Sequence, residues 1–373
     1  MIYYGKHYIS KKDISNVNET LKSSFLTQGP KVNLFEKKFS KIVESKYTIA
    51  CSTGTSALHM ACQALDLQKG ENVWTTPITF IASVNSSLLC GANIDFVDIN
   101  KSDWNIDIKL LKIKLEKTPK LKLPKILIVV HLGGISCDMK EIHRLSKQYN
   151  FKIIEDACHG LGGSYKNNPI GSCKYSHIST FSFHPVKNMT TGEGGAITTN
   201  SKKIFNKIKL LVHHGILRKS KYDYDVMKIS NNYRLSDISC SLGISQLDSL
   251  SKFLKHRKTI STYYEKKITS ETVQKRKESF KYQSGLHLYI IRSKKIKTLR
   301  QKKKIFKIFE KNKIILGFHY IPIYRFSIFN GKFNFKNFNE SEKYFKEAFS
   351  LPIYYGLKKK DQDKVINLVN RYL

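Results

Sequence analysis

The 373-residue chain is 41% hydrophobic and 25% charged, the balance of an ordinary soluble globular protein with room for a large domain and an appended one. Its 65 lysines and arginines against 29 acids give a formal net charge of +36, but the excess is scattered through every predicted helix and is thickest from about 252 to 313. With no zinc-ligand spacing, RNA-recognition signature or basic tail, that distribution argues against a dedicated nucleic-acid role and for steering of small polyanions.

The seven cysteines are odd in number and contain no C-x-x-C pair, so they read as reduced core residues. No run of about eighteen apolar residues and no signal-peptide core are present, and a cytoplasmic setting is expected.

An aromatic cluster, Ile2-Tyr-Tyr4, opens the chain, followed by a short helix at 12–23 that Gly29-Pro30 punctuates. Residues 32–43 return to a helical period with Leu34, Phe35, Phe39 and Val43 on one face. From Tyr47, strands at 47–50, 72–75, 94–97, 125–131 and 151–155 alternate with helices at 57–65, after Phe80 to 89, and at 139–149. The run 125–131 is apolar throughout, as in a strand buried on both faces. This alternation predicts an α/β fold with a mostly parallel sheet and helices on both sides, binding ligands beyond the carboxyl ends of its strands. That rule gathers 52–56, Phe80, His131, Asp156 and Lys187 in one place.

Residues 178–183 form a further buried strand that Pro185 stops, and Gly192, Gly194 and Gly195 precede another at 196–199. A helix at 203–213 and one or two helices over 237–267 follow. Segments 286–292 and 318–323 with two helices then suggest a smaller α+β C-terminal domain. The expected divisions are an N-terminal arm (1–30), a large domain (31–250) and a small one (251–373). The lysine runs at 109–125 and 301–313 read as solvated helix faces.

Four features carry chemistry, each beside a plainer reading. Ser52-Thr-Gly-Thr-Ser56 between a strand and a helix makes a phosphate cup or simply an N-cap. Phe80, on a loop after a strand, stacks on a flat cofactor or fills the core. Asp156, closing a buried strand, needs a cationic partner such as a protonated pyridine nitrogen, or caps the next segment. Lys187, on a tight connection between buried strands, forms a Schiff base or is a surface-loop lysine. Their order matches the needs of pyridoxal phosphate.

Thr53-Gly-Thr-Ser-Ala-Leu-His59, Thr76-Pro-Ile-Thr-Phe80, Ile154-Glu-Asp-Ala-Cys-His159, Phe181-Ser-Phe-His-Pro-Val-Lys187, Thr190-Thr-Gly-Glu-Gly-Gly195 and Asn232-Tyr-Arg234 resemble the DegT–DnrJ–StrS sugar aminotransferases. These are fold-type I pyridoxal-phosphate enzymes acting on nucleotide-linked keto sugars. Leu26-Thr-Gln-Gly29 and His319-Tyr-Ile-Pro-Ile-Tyr324 are similar to the branch that serves pseudaminic acid biosynthesis. The resemblance implies a seven-stranded, mostly parallel sheet. It implies Lys187 as Schiff-base lysine and proton shuttle, Asp156 on the pyridine nitrogen with His159 nearby, and Phe80 stacked on the ring. Gly54, Thr55, Ser56 and Ser182 would take the phosphate. Asn232 would reach the phosphate of a neighbouring subunit in a homodimer. Tyr4, Phe25, Leu26, Thr27, Arg234, His319, Tyr320 and Tyr324 would face the sugar nucleotide, with no metal.

The implied reaction is a ping-pong transfer of an amine, from glutamate, to C4 of a UDP-linked 4-keto-6-deoxy-N-acetylhexosamine. A dTDP- or GDP-linked keto sugar, or attack at C3, is the alternative. Family members with histidine in place of the lysine are dehydratases, so Lys187 favours aminotransfer. A desulfurase or dehydratase and a cofactor-bearing regulator or nucleic-acid binder complete the competing readings. The chain departs from the family pattern at Asn188-Met189, at Ser230-Asn231 and within His131–Ser136.

Overall fold

Apolar side chains alternating above and below a central sheet set the architecture. The computed structural model describes residues 1–220, 222–276 and 282–373, so part of the lysine-rich 252–313 stretch lies outside the described residues. Helices α1 (Lys11–Leu21) and α2 (Pro30–Val43) lead into seven strands. These are β1 (Tyr47–Cys51), β2 (Asn72–Thr75), β3 (Asn93–Phe96), β4 (Ile126–Val130), β5 (Lys152–Asp156), β6 (Ile178–Ser182) and β7 (Gly195–Thr199). They pair in the order β1-β7-β6-β5-β4-β2-β3. Strand β7 runs antiparallel to β1 and β6, whereas the remaining neighbours are parallel. Helices α3 (Gly54–Ala64), α4 (Ala82–Leu88), α5 (Ile108–Lys117), α6 (Met139–Tyr149) and α7 (Lys202–Leu211) cover the sheet.

Each buried strand feeds two cores. Ile126 and Ile128 of β4 join Ile154, Ile178 and Ile197 under α3 and α7. Their neighbours Leu127 and Val129 point the other way, against Leu111, Leu115, Ile142 and Leu145 of α5 and α6. Phe35 and Phe39 of α2 pack fully buried on Phe181 and Phe183. Each such ring contributes about 1.5–3 kcal/mol by leaving water.

The 237–267 stretch is one unbroken helix, α8 (Asp237–Lys267), started by the Ser236 hydroxyl, which accepts the Ser239 N–H. Cys240, Leu247 and Leu250 sit in the core beside the large sheet. Further along, Ile260 and Tyr264 enter a separate core, so the division expected at 250/251 falls inside a continuous helix. That second core is built by β8 (Val273–Lys275), β9 (Tyr289–Ser293), α9 (Leu299–Lys311), β10 (Ala348–Leu351) and α11 (Lys359–Tyr372), with α10 (Asn339–Glu347) leading into β10. Strands β8, β9 and β10 form an antiparallel sheet.

Two expectations need correction. Residues 318–323 form no strand; β10 supplies the pairing, and Gly317 only bridges to its Ser350. The 301–313 face is not wholly solvated, because Lys302 is 3% exposed. Its amine donates to the Phe345 carbonyl at 2.6 Å and lies 4.2 Å from the Phe318 ring centre. All seven cysteines are free, and among the described residues no helix is long and apolar enough to cross a membrane.

Candidate active site

The carboxyl ends of β1, β2, β4, β5 and β6 open on one cavity of about 370 Å³. Its floor begins at the start of α3, where Thr53 and Ser56 cap each other. The Thr53 hydroxyl accepts the Ser56 N–H, and the Ser56 hydroxyl accepts the Thr53 N–H, both at 3.0 Å. Gly54 and Thr55 line the cavity as the first helical residues, whose amides have no acceptor within the helix. A Cβ on Gly54 would lie 2.8 Å from Ser182 Cβ and 3.2 Å from Cys158 Sγ, so the cradle requires glycine. Ser56 turns out to be a capping residue: its hydroxyl is engaged by Thr53 and it does not line the cavity.

Asp156, 6% exposed at the end of β5, accepts the Ser83 hydroxyl on Oδ2 at 2.6 Å and the Cys158 N–H on Oδ1 at 3.2 Å. Thr79 and Ser83 hydroxyls lie 2.8 Å apart. Among the described residues no cation is within 4 Å of this carboxylate, which leaves its charge for a ligand. Lys187 follows β6 through Pro185, and its amine has no hydrogen-bond or ion-pair partner among the described residues. Burial lowers the pKa of that amine from its ordinary value, which Cys158 and Asp156 partly offset. Asn188, one of the departures from the family pattern, is buried and donates to Leu161 O at 2.8 Å and Gly285 O at 2.6 Å. It anchors the loop immediately beyond the lysine.

Phe80 stands on the rim, 57% exposed, with its ring 6.1 Å from that of Tyr320. His159, His287, His319, Tyr320 and Tyr4 complete the wall. Tyr4 reaches it because Ile2 pairs with Ile314 and the Tyr4 carbonyl accepts the Ile353 N–H at 3.0 Å. Burial holds His319 near about 3 and His287 well below the imidazolium range, so both rings are neutral.

Of the residues singled out from sequence, Gly54, Thr55, Phe80, Asp156, His159, Ser182, Lys187, Tyr4, His319 and Tyr320 meet at this cavity. Others do not. Tyr324 is in the core, stacked on Phe338 at 4.7 Å with its hydroxyl donating to Glu342. His131 is fully buried behind the cavity, with Nε2 2.8 Å from Glu155. Phe25, Leu26, Thr27 and Asn232 are exposed elsewhere on the chain, and Arg234 lines a separate cavity of about 580 Å³ with Glu36 and His213. Ser83 and His287 were not anticipated, and Asn188 was read only as a departure from the family pattern; a serine inside a predicted helix carries no signal of a contact 73 residues away.

A profile of the DegT/DnrJ/EryC1/StrS aminotransferase family matches residues 7–370. The chain belongs to this family. It is 38% identical over 364 residues (97% of this chain, 94% of the relative) to the UDP-4-amino-4,6-dideoxy-N-acetyl-beta-L-altrosamine transaminase of Campylobacter jejuni. It is 32% identical over 322 residues, 85% of each chain, to GDP-perosamine synthase of Escherichia coli O157:H7. Helicobacter pylori PseC, an aminotransferase involved in the biosynthesis of pseudoaminic acid, superposes with a TM-score of 0.91 at 28% identity, covering 100% of this chain and 98% of that one. Spr1654 from Streptococcus pneumoniae in its PLP form gives 0.91 at 26% identity, covering 99% of each. As a DegT/DnrJ/EryC1/StrS aminotransferase the protein is a pyridoxal-phosphate-dependent sugar aminotransferase of fold-type I. The cavity fits that cofactor: a glycine cradle with free amides suits a phosphate, an unpaired buried carboxylate suits a pyridinium, and an unpartnered amine suits an aldehyde.

Proposed function

We propose that this aminotransferase moves the amino group of glutamate to C4 of a UDP-linked 4-keto-6-deoxy-N-acetylhexosamine, in the making of a pseudaminic acid-type sugar. The observation that carries the substrate is the 38% identity, over 97% of the chain, to a transaminase named for a UDP-linked 4-amino-4,6-dideoxy sugar. When bound, the cofactor supplies an electron sink for the carbon that loses or gains a proton. The protein's own residues supply the rest. Asp156, fixed by Ser83 and the Cys158 amide, holds the pyridine nitrogen in its charged form. The Gly54 and Thr55 amides and the Ser182 hydroxyl receive the phosphate, and Phe80 covers the ring. Lys187, its amine made less basic by burial, takes and returns the proton at the reacting carbon.

Tyr4, His319 and Tyr320 face the sugar side. Asn232, exposed and absent from the lining of its own chain's cavity, serves the phosphate site of a second copy, so the working unit is a homodimer. Phe25, Leu26, Thr27 and Arg234 would complete the nucleotide side from the same interface.

A panel of UDP-, dTDP- and GDP-linked keto sugars with glutamate, scored by the mass of the amino product, tests the assignment. Turnover of the UDP sugar is expected, and Lys187→Ala should abolish it together with the yellow absorbance of the bound cofactor. The second reading, a GDP-linked keto sugar, is favoured by the likeness to GDP-perosamine synthase. Turnover of GDP sugars alone would replace the first reading with it.

A further inference from the structure

Hydrogen-bond accounting at His159 fixes the proton of its neighbour Tyr320. The main-chain N–H of Gly133 lies 3.2 Å from His159 Nδ1. A backbone amide only donates, so Nδ1 carries a lone pair. Burial, reinforced by the positive groups Lys187 and Arg276, holds His159 far below the imidazolium range, and the ring is neutral. A neutral ring with a bare Nδ1 bears its proton on Nε2. That nitrogen is 3.1 Å from the Tyr320 hydroxyl oxygen. The contact therefore runs from His159 Nε2–H to Tyr320, and the phenolic proton is not used in it. Burial keeps the Tyr320 phenol well above its usual range, so the proton stays on at neutral pH. Among the described residues this hydroxyl has no other hydrogen-bond partner.

The turn that delivers the Gly133 amide is clamped. Gly133 has φ of 66°, a left-handed conformation that suits glycine. Arg276 donates to Leu132 O and, at 3.1 Å, to Asn105 Oδ1, which also accepts the Leu132 N–H at 3.1 Å. The direction of the Gly133–His159–Tyr320 relay is thus set by backbone held on both sides.

We propose that Tyr320, aimed by this relay, donates its phenolic hydrogen bond to the keto oxygen of the sugar bound beside Lys187. The bond polarises the carbonyl and stabilises the charge that grows on oxygen as nitrogen attacks carbon. The identity of the ligand rests on the keto-sugar reading above; the tautomer does not.

Two measurements test it. Nitrogen-15 NMR of histidine-labelled protein, with the His159 signals assigned by their loss in His159→Gln, should show a protonated Nε2 and a bare Nδ1. The reverse pattern, or an imidazolium, overturns the relay. Tyr320→Phe should retain the cofactor with a dissociation constant within about twofold of wild type while kcat with the keto sugar falls about a hundredfold at a little-changed KM. A kcat within about threefold of wild type overturns the donor role. Wild-type protein that turns over no keto sugar defeats the substrate reading and the keto-oxygen role together, while the NMR pattern still decides the relay alone.

Discussion

Asp156 is held by donors on both oxygens, and the better of the two bonds comes from a side chain on the neighbouring helix. Removing the Ser83 hydroxyl leaves Oδ2 free to rotate and deprives a buried charge of a donor. A hydrogen bond to a charged group contributes roughly 1.5–3 kcal/mol, so Ser83→Ala is expected to weaken pyridoxal-phosphate binding at least about tenfold. Ser83→Thr should restore it; absorbance titration of cofactor-free protein measures both. Gly54→Ala pushes a methyl group to 2.8 Å from Ser182 Cβ, and the cradle must widen. Overpacking of this kind costs about 1–3 kcal/mol. The variant should fold with a lowered Tm and lose cofactor on gel filtration.

The contrast between these residues explains what a sequence makes legible at this scale. Asp156 closes a buried strand and Lys187 follows Pro185 on the short connection between two strands, where a charged residue already needs a reason. Ser83 looks no different from Ser86 and Ser87 in the same helix, and only the folded contact separates them.

Among the elements, those that obey one period end close to where the sequence places them: β2 over 72–75 and α6 over 139–149. β10 was hidden because it follows α10 directly, with Phe345 and Phe349 reading as one apolar helical face. Periodicity also missed that α9 lays Lys302 on that apolar surface. Burial, with no acid in ion-pair reach among the described residues, lowers its pKa well below the ordinary 10.5. The folded chain therefore binds this proton less tightly than the unfolded chain, and stability rises with pH up to about 10.5 through this group. Lys302→Met removes that dependence. The variant is expected to gain at least about 1 kcal/mol relative to wild type near neutral pH, with the gap narrowing at pH 9.5, as read by urea unfolding. The loop after Lys187 behaves in the opposite sense. Asn188→Ala strips two buried carbonyls of their donor and should cost about 2 kcal/mol in the same assay.

For the whole molecule, the assignment of Asn232 to a partner's phosphate site makes the dimer testable by complementation. Mixing refolded Lys187→Ala and Asn232→Ala chains forms mixed dimers in which one site combines an intact lysine with an intact asparagine. About a quarter of wild-type activity is then expected from two weak or inactive parents. No recovery, or a monomer by light scattering, would count against a shared site.

Helix α8 carries a further consequence, for how the chain comes apart. Its first half is wedged among Phe35, Phe181 and Leu235, and its second among Ile291, Phe349 and Val365. Melting either core strips one side of the same hydrogen-bonded rod, and the loss propagates to the other. Heat should meet no seam at 250/251: calorimetry is expected to give one transition. A fragment ending at 250 should behave as a collapsed, protease-sensitive chain.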